Sequence, residues 1–199
     1  MEQLLAQIRL GSQAAFAELM QEWYPRVYQY AWKYFAGKHR HGQVHDVAEE
    51  VAQKTFITVH QKLDKLREPA RFKGWLFRIA TNLCYEEDRK KKKWETRLST
   101  NSESEDEAWR TPSGEAGPFQ KAVQSEISYW VLKALDQLSP EQRSVLILKE
   151  YQGLKFREIA EALGISENTA KSRLYYGLQH MRMFLERKHI TQENLRYDV

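Results

Sequence analysis

Apolar residues recur every three to four positions through most of the chain, the spacing of one buried face on a helix of 3.6 residues per turn. Phe16, Leu19, Met20 and Trp23 form one stripe. Val27, Tyr28, Ala31, Tyr34 and Phe35 continue it beyond Pro25, where the missing N–H predicts that the helix stops, restarts or kinks. Val47, Val51, Thr55, Phe56, Val59, Leu63 and Leu66 make a second stripe with Asp46 placed to cap its start. Phe72, Trp75, Leu76, Ile79, Ala80 and Leu83 make a third. Ile127, Val131, Ala134, Leu135 and Leu138 predict a fourth helix. Ser139-Pro140-Glu141-Gln142 then reads as a helix start, with Ser at the cap, Pro at the first helical position and Gln closing a capping box. That helix carries Val145, Leu146, Leu148 and Tyr151 and ends at Gly153. Phe156, Ile159, Ala160 and Leu163 mark the next, and the last begins after Gly164-Ile165-Ser166. Nothing alternates as a strand does and no repeat appears, so the pattern predicts an all-α protein.

One stretch breaks the periodicity. Residues 99–118 are rich in Ser, Glu, Gly and Pro, and they offer too little apolar surface to offset the entropy of ordering them. The organisation expected is therefore two small helical domains joined by a flexible acidic linker: 1–95, a linker over 96–122, 123–188, and a tail over 189–199.

Charge follows the same division. Lys and Arg outnumber Asp and Glu by 17 to 11 over 1–93, fall to 2 against 6 over 94–120, and recover to 12 against 10 over 121–199. An acidic segment between two basic ones suits a tether between modules that both touch a polyanion. The formal net charge of +4 by itself only permits nucleic acid as a partner. The 199 residues hold one cysteine, Cys84, which excludes an internal disulfide and fits a buried small hydrophobe. No apolar run reaches the ~18 residues of a membrane span and the first ten residues carry no signal-peptide core. A soluble, cytoplasmic protein without membrane insertion is expected.

The strongest chemical signal lies over 156–182. A helix-turn-helix needs a small residue where its helices cross, a turn residue tolerant of positive φ, and a capped second helix; Ala160, Gly164 and Ser166 supply these in order. Ala170, Leu174, Leu178 and Met181 should face inward. Asn168, Lys171, Ser172, Tyr175, Gln179 and Arg182 then share the other face, which suits base edges and phosphates in the major groove. A solvated helical hairpin would show the polar face but not the coincidence of cap, turn and crossing residue.

Other motifs are less specific. Asp46, Glu49, Glu50 and Gln53 follow i, i+3, i+4, i+7 and make an acidic strip that would otherwise be a solvated face. Residues 66–72 connect two helices, and Pro69 alone would account for a loop. Arg89 and the four lysines after it form a basic run suited to phosphates. His39, His41 and His45 lack a regular ligand spacing and read as a polar loop. No nucleophile with its base, phosphate loop or metal signature appears, so no enzyme, no cofactor and no small-molecule substrate are expected.

The runs Leu138-Ser139-Pro140-Glu141-Gln142-Arg143, Glu158-Ile159-Ala160-Glu161-Ala162-Leu163-Gly164-Ile165-Ser166 and Thr169-Ala170-Lys171-Ser172-Arg173-Leu174 resemble the promoter-reading C-terminal domain of the extracytoplasmic-function sigma factors, group four of the sigma-70 family. Ala15-Phe16-Ala17-Glu18-Leu19, Tyr24-Pro25-Arg26-Val27-Tyr28, the stretch from Asp46 to Phe56, and Phe72-Lys73-Gly74-Trp75-Leu76-Phe77-Arg78-Ile79-Ala80-Thr81-Asn82 are similar to the family's other domain. Ala170 stands where the family usually has a larger aliphatic residue, and Lys155 where a hydroxyl would cap the helix.

The resemblance implies core RNA polymerase and promoter DNA as partners and leaves room for an anti-sigma factor. It places Asp46, Glu49, Glu50, Gln53 and Phe56 on the polymerase surface. Arg67, Ala70, Arg71, Phe72, Arg78 and Asn82 would meet the -10 element, with 66–72 capturing an unstacked base. Asn168, Thr169, Lys171, Ser172, Arg173, Tyr175, Gln179 and Arg182 would meet the -35 element. Trp75, Leu76 and Ile79 are expected in the core. Two other readings compete. A stand-alone helix-turn-helix regulator would bind DNA without polymerase and need neither acidic strip nor base-capturing loop. A metal-dependent enzyme would use Glu49, Glu50 and the nearby histidines.

Overall fold

The computed structural model describes residues 1–37, 41–98, 128–188 and 190, and it is helical throughout with no strand among them. Helices α1 (Glu2–Arg9), α2 (Gln13–Phe35), α3 (His41–Lys62) and α4 (Phe72–Leu98) build an N-terminal module; α5 (128–136), α6 (Pro140–Leu146), α7 (Phe156–Leu163) and α8 (Glu167–Arg187) build a C-terminal one. Of the linker expected at 96–122, residues 96–98 close α4 and the rest lie outside the described residues, as does the tail expected at 189–199 apart from Ile190. Among the described residues no helix is long and apolar enough to cross a membrane.

Ser12 opens α2, its hydroxyl accepting from the Ala15 N–H at 3.2 Å. The helix then runs through Pro25 as one assigned element of 23 residues, where the sequence predicted a stop, restart or kink. Losing one hydrogen bond at Pro25 is outweighed by the face on both sides of it, where Leu19, Trp23, Val27, Tyr30, Ala31, Tyr34 and Phe35 are all buried. Helix α3 begins five residues earlier than Asp46, so that carboxylate sits on a helical face and caps nothing.

Val44, Ala48, Val51, Ala52, Thr55, Phe56 and Val59 turn toward α2 and α4, and Leu76, Phe77, Ala80 and Cys84 answer from α4. Trp23 meets Phe72 edge to face at 5.5 Å. Of the three expected core residues on α4, Leu76 is fully buried and Trp75 and Ile79 are half-buried against the core.

In the C-terminal module Ser139 and Gln142 close the predicted capping box, at 3.2 and 3.3 Å. Helix α6 does not run on as α-helix to Gly153; residues Ile147–Tyr151 widen into one π-helical turn before Gly153, at φ +63°, reverses the chain. Gly164 ends α7 in the left-handed region, φ +66°, with nothing within 4 Å of where a Cβ would stand. Gly164→Ala should therefore cost ~1 to 2 kcal/mol through backbone strain alone. A urea titration should show a lower midpoint with an unchanged slope, and an unchanged midpoint would mean that the turn is not held in that conformation.

Candidate nucleic-acid interface

The geometry of the helix-turn-helix follows from its turn. Ser166 caps α8 by accepting from the Thr169 N–H at 3.0 Å, and its hydroxyl also meets that of Thr169 at 2.8 Å. Lys155 offers no hydroxyl to α7, but the Glu158 carboxylate accepts the Lys155 N–H at 2.6 Å and does the capping from the other side. Ala170 is fully buried, so the small residue at that position lets the second helix sit close on its partners.

Asn168, Lys171, Ser172, Tyr175, Gln179 and Arg182 are all exposed along α8, Tyr175 by 66%. Lys171 lays its ammonium 5.8 Å from the Phe156 ring, and Arg182 pairs with Glu186 at 2.7 Å. Two members of the expected set lie elsewhere. Thr169 is half-buried and occupied by the cap, and Arg173 is half-buried on the side where its charge acts on the Tyr85 phenol of the other module. Leu178 does not face inward as its spacing predicted: the buried position is taken by Gly177, which lies against Leu138 and Gln142, and Leu178 is exposed. Tyr176, 54% exposed and edge to face with Tyr175 at 5.5 Å, joins the polar surface although it lies on neither stripe read from the sequence.

In the N-terminal module, residues 63–71 form two short 3-10 turns, Leu63–Lys65 and Pro69–Arg71, before α4. The Arg9 guanidinium donates to the carbonyls of Leu63 and Leu66 and pins the first turn to α1. Arg67, Ala70 and Arg71 are exposed, with Arg71 paired to Glu68 at 2.8 Å. Phe72 is not among them: it is 1% exposed, with its ring against Trp23, so a residue expected to meet DNA is part of the core. Arg78 and Asn82 are exposed on α4. Beyond them Arg89, Lys90 and Lys93 are exposed too, Lys90 balanced by Glu86 and Glu87 at 3.4 and 2.8 Å.

The acidic strip is present on α3. Asp46, Glu49, Glu50 and Gln53 are exposed, Gln53 donating to Glu49 at 3.2 Å, and Glu50 pairs with Lys54. Phe56 is only 2% exposed. It lines a groove of about 400 Å³ between α2 and α3, together with Phe16, Met20, Tyr24, Gln53 and Ile57. Burial first, and then the Glu49 carboxylate, raise the Tyr24 phenol, which stays a neutral hydrogen-bonding group at this edge. His45 bonds to the Tyr28 phenol; His39 and the His41 side chain lie outside the described residues. Among the described residues no three His, Cys, Asp or Glu side chains converge as a metal site would require.

Residues 19–94 match the sequence family described as Sigma-70 region 2, and residues 128–181 match Sigma-70, region 4. The chain is 34% identical over 185 residues to an ECF RNA polymerase sigma factor, SigE, of Mycolicibacterium smegmatis, covering 92% of this chain and 66% of that one. It is 29% identical to the ECF RNA polymerase sigma factor SigW of Bacillus subtilis over 180 residues, 89% of this chain and 92% of that one. Among solved structures, the sigma factor RpoE in complex with the anti-sigma factor NepR, from Bartonella quintana, is similar with a TM-score of 0.65 and 25% identity, over 86% of this chain and 96% of that one. With both family regions present in order and a helix-turn-helix in the second, the chain belongs to the extracytoplasmic-function sigma factors of the sigma-70 family.

Proposed function

We propose that the chain binds core RNA polymerase through α3, reads the -35 element with α8 and the -10 element with the 66–71 turns and α4, and so directs promoter-specific initiation in the cytoplasm. The observation that carries this is the pairing of a capped reading helix in one module with exposed cations around a turn in the other. RNA synthesis itself belongs to the polymerase, and no cofactor or metal is required of this chain. A stand-alone regulator would leave the region 2 match and the exposed acidic strip without a role. The similar RpoE structure holds an anti-sigma factor, which supports such a protein as a further partner here.

Transcription from a promoter library randomised in both elements tests the assignment of modules. Lys171→Ala and Ser172→Ala should change the preferred -35 sequence at a cost of ~1 to 3 kcal/mol per lost base contact and leave the -10 preference intact. Arg67→Ala and Arg71→Ala should do the reverse. A Lys171→Ala protein with an altered -10 and an unaltered -35 preference would show the modules to be assigned the wrong way round.

Polymerase binding is tested by reversing charge on α3. Asp46→Lys with Glu50→Lys should preserve the helical signal, since both side chains are exposed and the Glu50–Lys54 pair contributes only ~0.3 to 0.5 kcal/mol. Capture by core polymerase should fall sharply. Unchanged capture would remove α3 from the docking surface.

A further inference from the structure

The exposed stretch between α3 and α4 is anchored from both ends. At its far end Phe72 buries its ring on Trp23. Within it Glu68 closes on Arg71, its carbonyl accepting the Arg71 N–H at 3.0 Å and its carboxylate pairing with the guanidinium at 2.8 Å. At its near end the Leu63 carbonyl accepts the Leu66 N–H at 3.0 Å, which closes the first 3-10 turn, and both leucines bury their side chains. Between these anchors stands the peptide that joins Leu66 to Arg67. Its carbonyl accepts from Nη2 of Arg9, and the same nitrogen reaches the Leu63 carbonyl at 3.5 Å.

We propose that Arg9 is a positioning residue for -10 recognition, which orients the Leu66–Arg67 peptide and so aims Arg67 at the DNA. This role rests on the reading that residues 66–71 meet the -10 element. A peptide unit is planar, so the Leu66 carbonyl, the Arg67 nitrogen and the Arg67 Cα turn as one body. The rotation that would swing this plane is ψ of Leu66, which stands at 98°, past the end of the 3-10 turn. A donor fixed on the carbonyl therefore sets the direction in which Arg67 leaves the core, and a charged donor holds it harder than a neutral one. Arginine suits the task, because a single Nη carries two hydrogens and can serve two carbonyls at once.

Arg9 can act as a fixed post because α1 is itself fixed. Leu5 is fully buried, and Leu4 and Ile8 pack beside it against the core. Just past Arg9 the chain reverses at Gly11, φ +89°, with the Gly11 N–H on the Ile8 carbonyl at 2.9 Å and the Ser12 N–H on the Gln7 carbonyl at 3.0 Å. Ser12 then caps α2, so the guanidinium is carried at a braced corner between two helices. Residue 9 precedes the stretch 19–94 that matches Sigma-70 region 2, and it is the fold that brings it to the turn.

The same contacts separate positioning from stability. Arg9 is exposed, and the core beneath it is closed by other groups: Tyr30 meets Thr81 at 2.7 Å and Tyr34 donates to Asp88 at 2.6 Å. Removing the guanidinium frees one peptide plane and leaves the helices packed.

The test uses the full-length chain with core polymerase and a promoter library randomised in both elements. Arg9→Ala should keep the helical signal, the unfolding midpoint, the affinity for core polymerase and the -35 preference. It should lower discrimination between the preferred and a mismatched -10 element by about tenfold, within the range of one specific base contact. Arg67→Ala should lower it as well, and the double variant should be no worse than Arg67→Ala alone, since aiming a residue that is gone changes nothing. A general loss of stability would instead add in full to the effect of Arg67→Ala, so additive losses overturn the proposal. An equal loss on every sequence with a flattened salt dependence overturns it too, because Arg9 would then be a phosphate contact in its own right. Should circular dichroism show less helix in Arg9→Ala, Arg9→Lys repeats the cycle: its ammonium keeps the charge on α1 and serves one carbonyl, so a smaller shift in the same direction is expected and no shift overturns the role. If Arg67→Ala alone left the -10 preference unchanged, the reading of residues 66–71 would fail and the positioning role with it. If Arg67→Ala shifts that preference and Arg9→Ala does not, the positioning role alone falls.

Discussion

Arg143→Met should destabilise the C-terminal module by ~3 to 5 kcal/mol, although methionine fills much of the same volume without a charge. The guanidinium of this buried residue satisfies the carbonyls of Asp136 and Leu138 at and just beyond the end of α5, adds a second donor to the Leu135 carbonyl, which also accepts from the Leu138 N–H at 3.2 Å, and complements the negative end of that helix. Without it the carbonyls of Asp136 and Leu138 lose the donor described for them, at ~1 to 3 kcal/mol each before relaxation, while that of Leu135 keeps the Leu138 N–H. Arg143→Lys should recover only part of the loss, since an ammonium has three donors on a point charge where the guanidinium spreads five across a plane. Urea unfolding followed by circular dichroism measures both. A loss below ~1 kcal/mol for Arg143→Met would mean that water replaces the guanidinium and that the end of α5 is not buried as described.

Phe72→Ala should cost ~3 to 5 kcal/mol and impair every activity together, because it removes a ring packed on Trp23 from the middle of the N-terminal core. Phe72→Leu should cost less and spare promoter opening. Arg71→Ala, one residue away but exposed, should barely move the unfolding midpoint while it alters use of the -10 element. If Phe72→Ala kept wild-type stability yet lost open-complex formation, the ring would have to turn outward to the DNA and the burial described here would not be its working state.

Phe72 marks where sequence reasoning stopped being sufficient. The helices, their caps and the turn at Gly164 were legible because each depends on neighbours within four residues. The polar face of α8 was legible for the same reason, as was the acidic strip on α3. Phe72 and Phe56 belong to motifs that also carry exposed residues, and a motif does not say which of its members support the others from below. Leu178 shows a second limit: helical spacing allowed either Gly177 or Leu178 to face inward, and the position against α6 falls to Gly177, where even a Cβ would already be in contact with Gln142 and Leu138 at 3.6 and 3.7 Å. Arg9 was opaque altogether. Its contacts are with the carbonyls of Leu63 and Leu66, and no pattern local to α1 encodes those.

The hydrogen bonds of Tyr30 to Thr81 and of Tyr34 to Asp88 bear on the order in which the protein is made. A ribosome adding ~5 to 20 residues per second needs several seconds to pass from the end of α4 to the end of α8. Through that interval the N-terminal module stands alone, with the surface that later meets the second module facing water or whatever else is near. Because the phenols of Tyr30 and Tyr34 are already satisfied within that module, the nascent half can complete its core without waiting for the second, while the phenol of Tyr85, which donates to the Pro140 carbonyl, waits for the later module. The later module then arrives at a finished surface, and assembly ends as a docking step between two folded partners carried on one polypeptide.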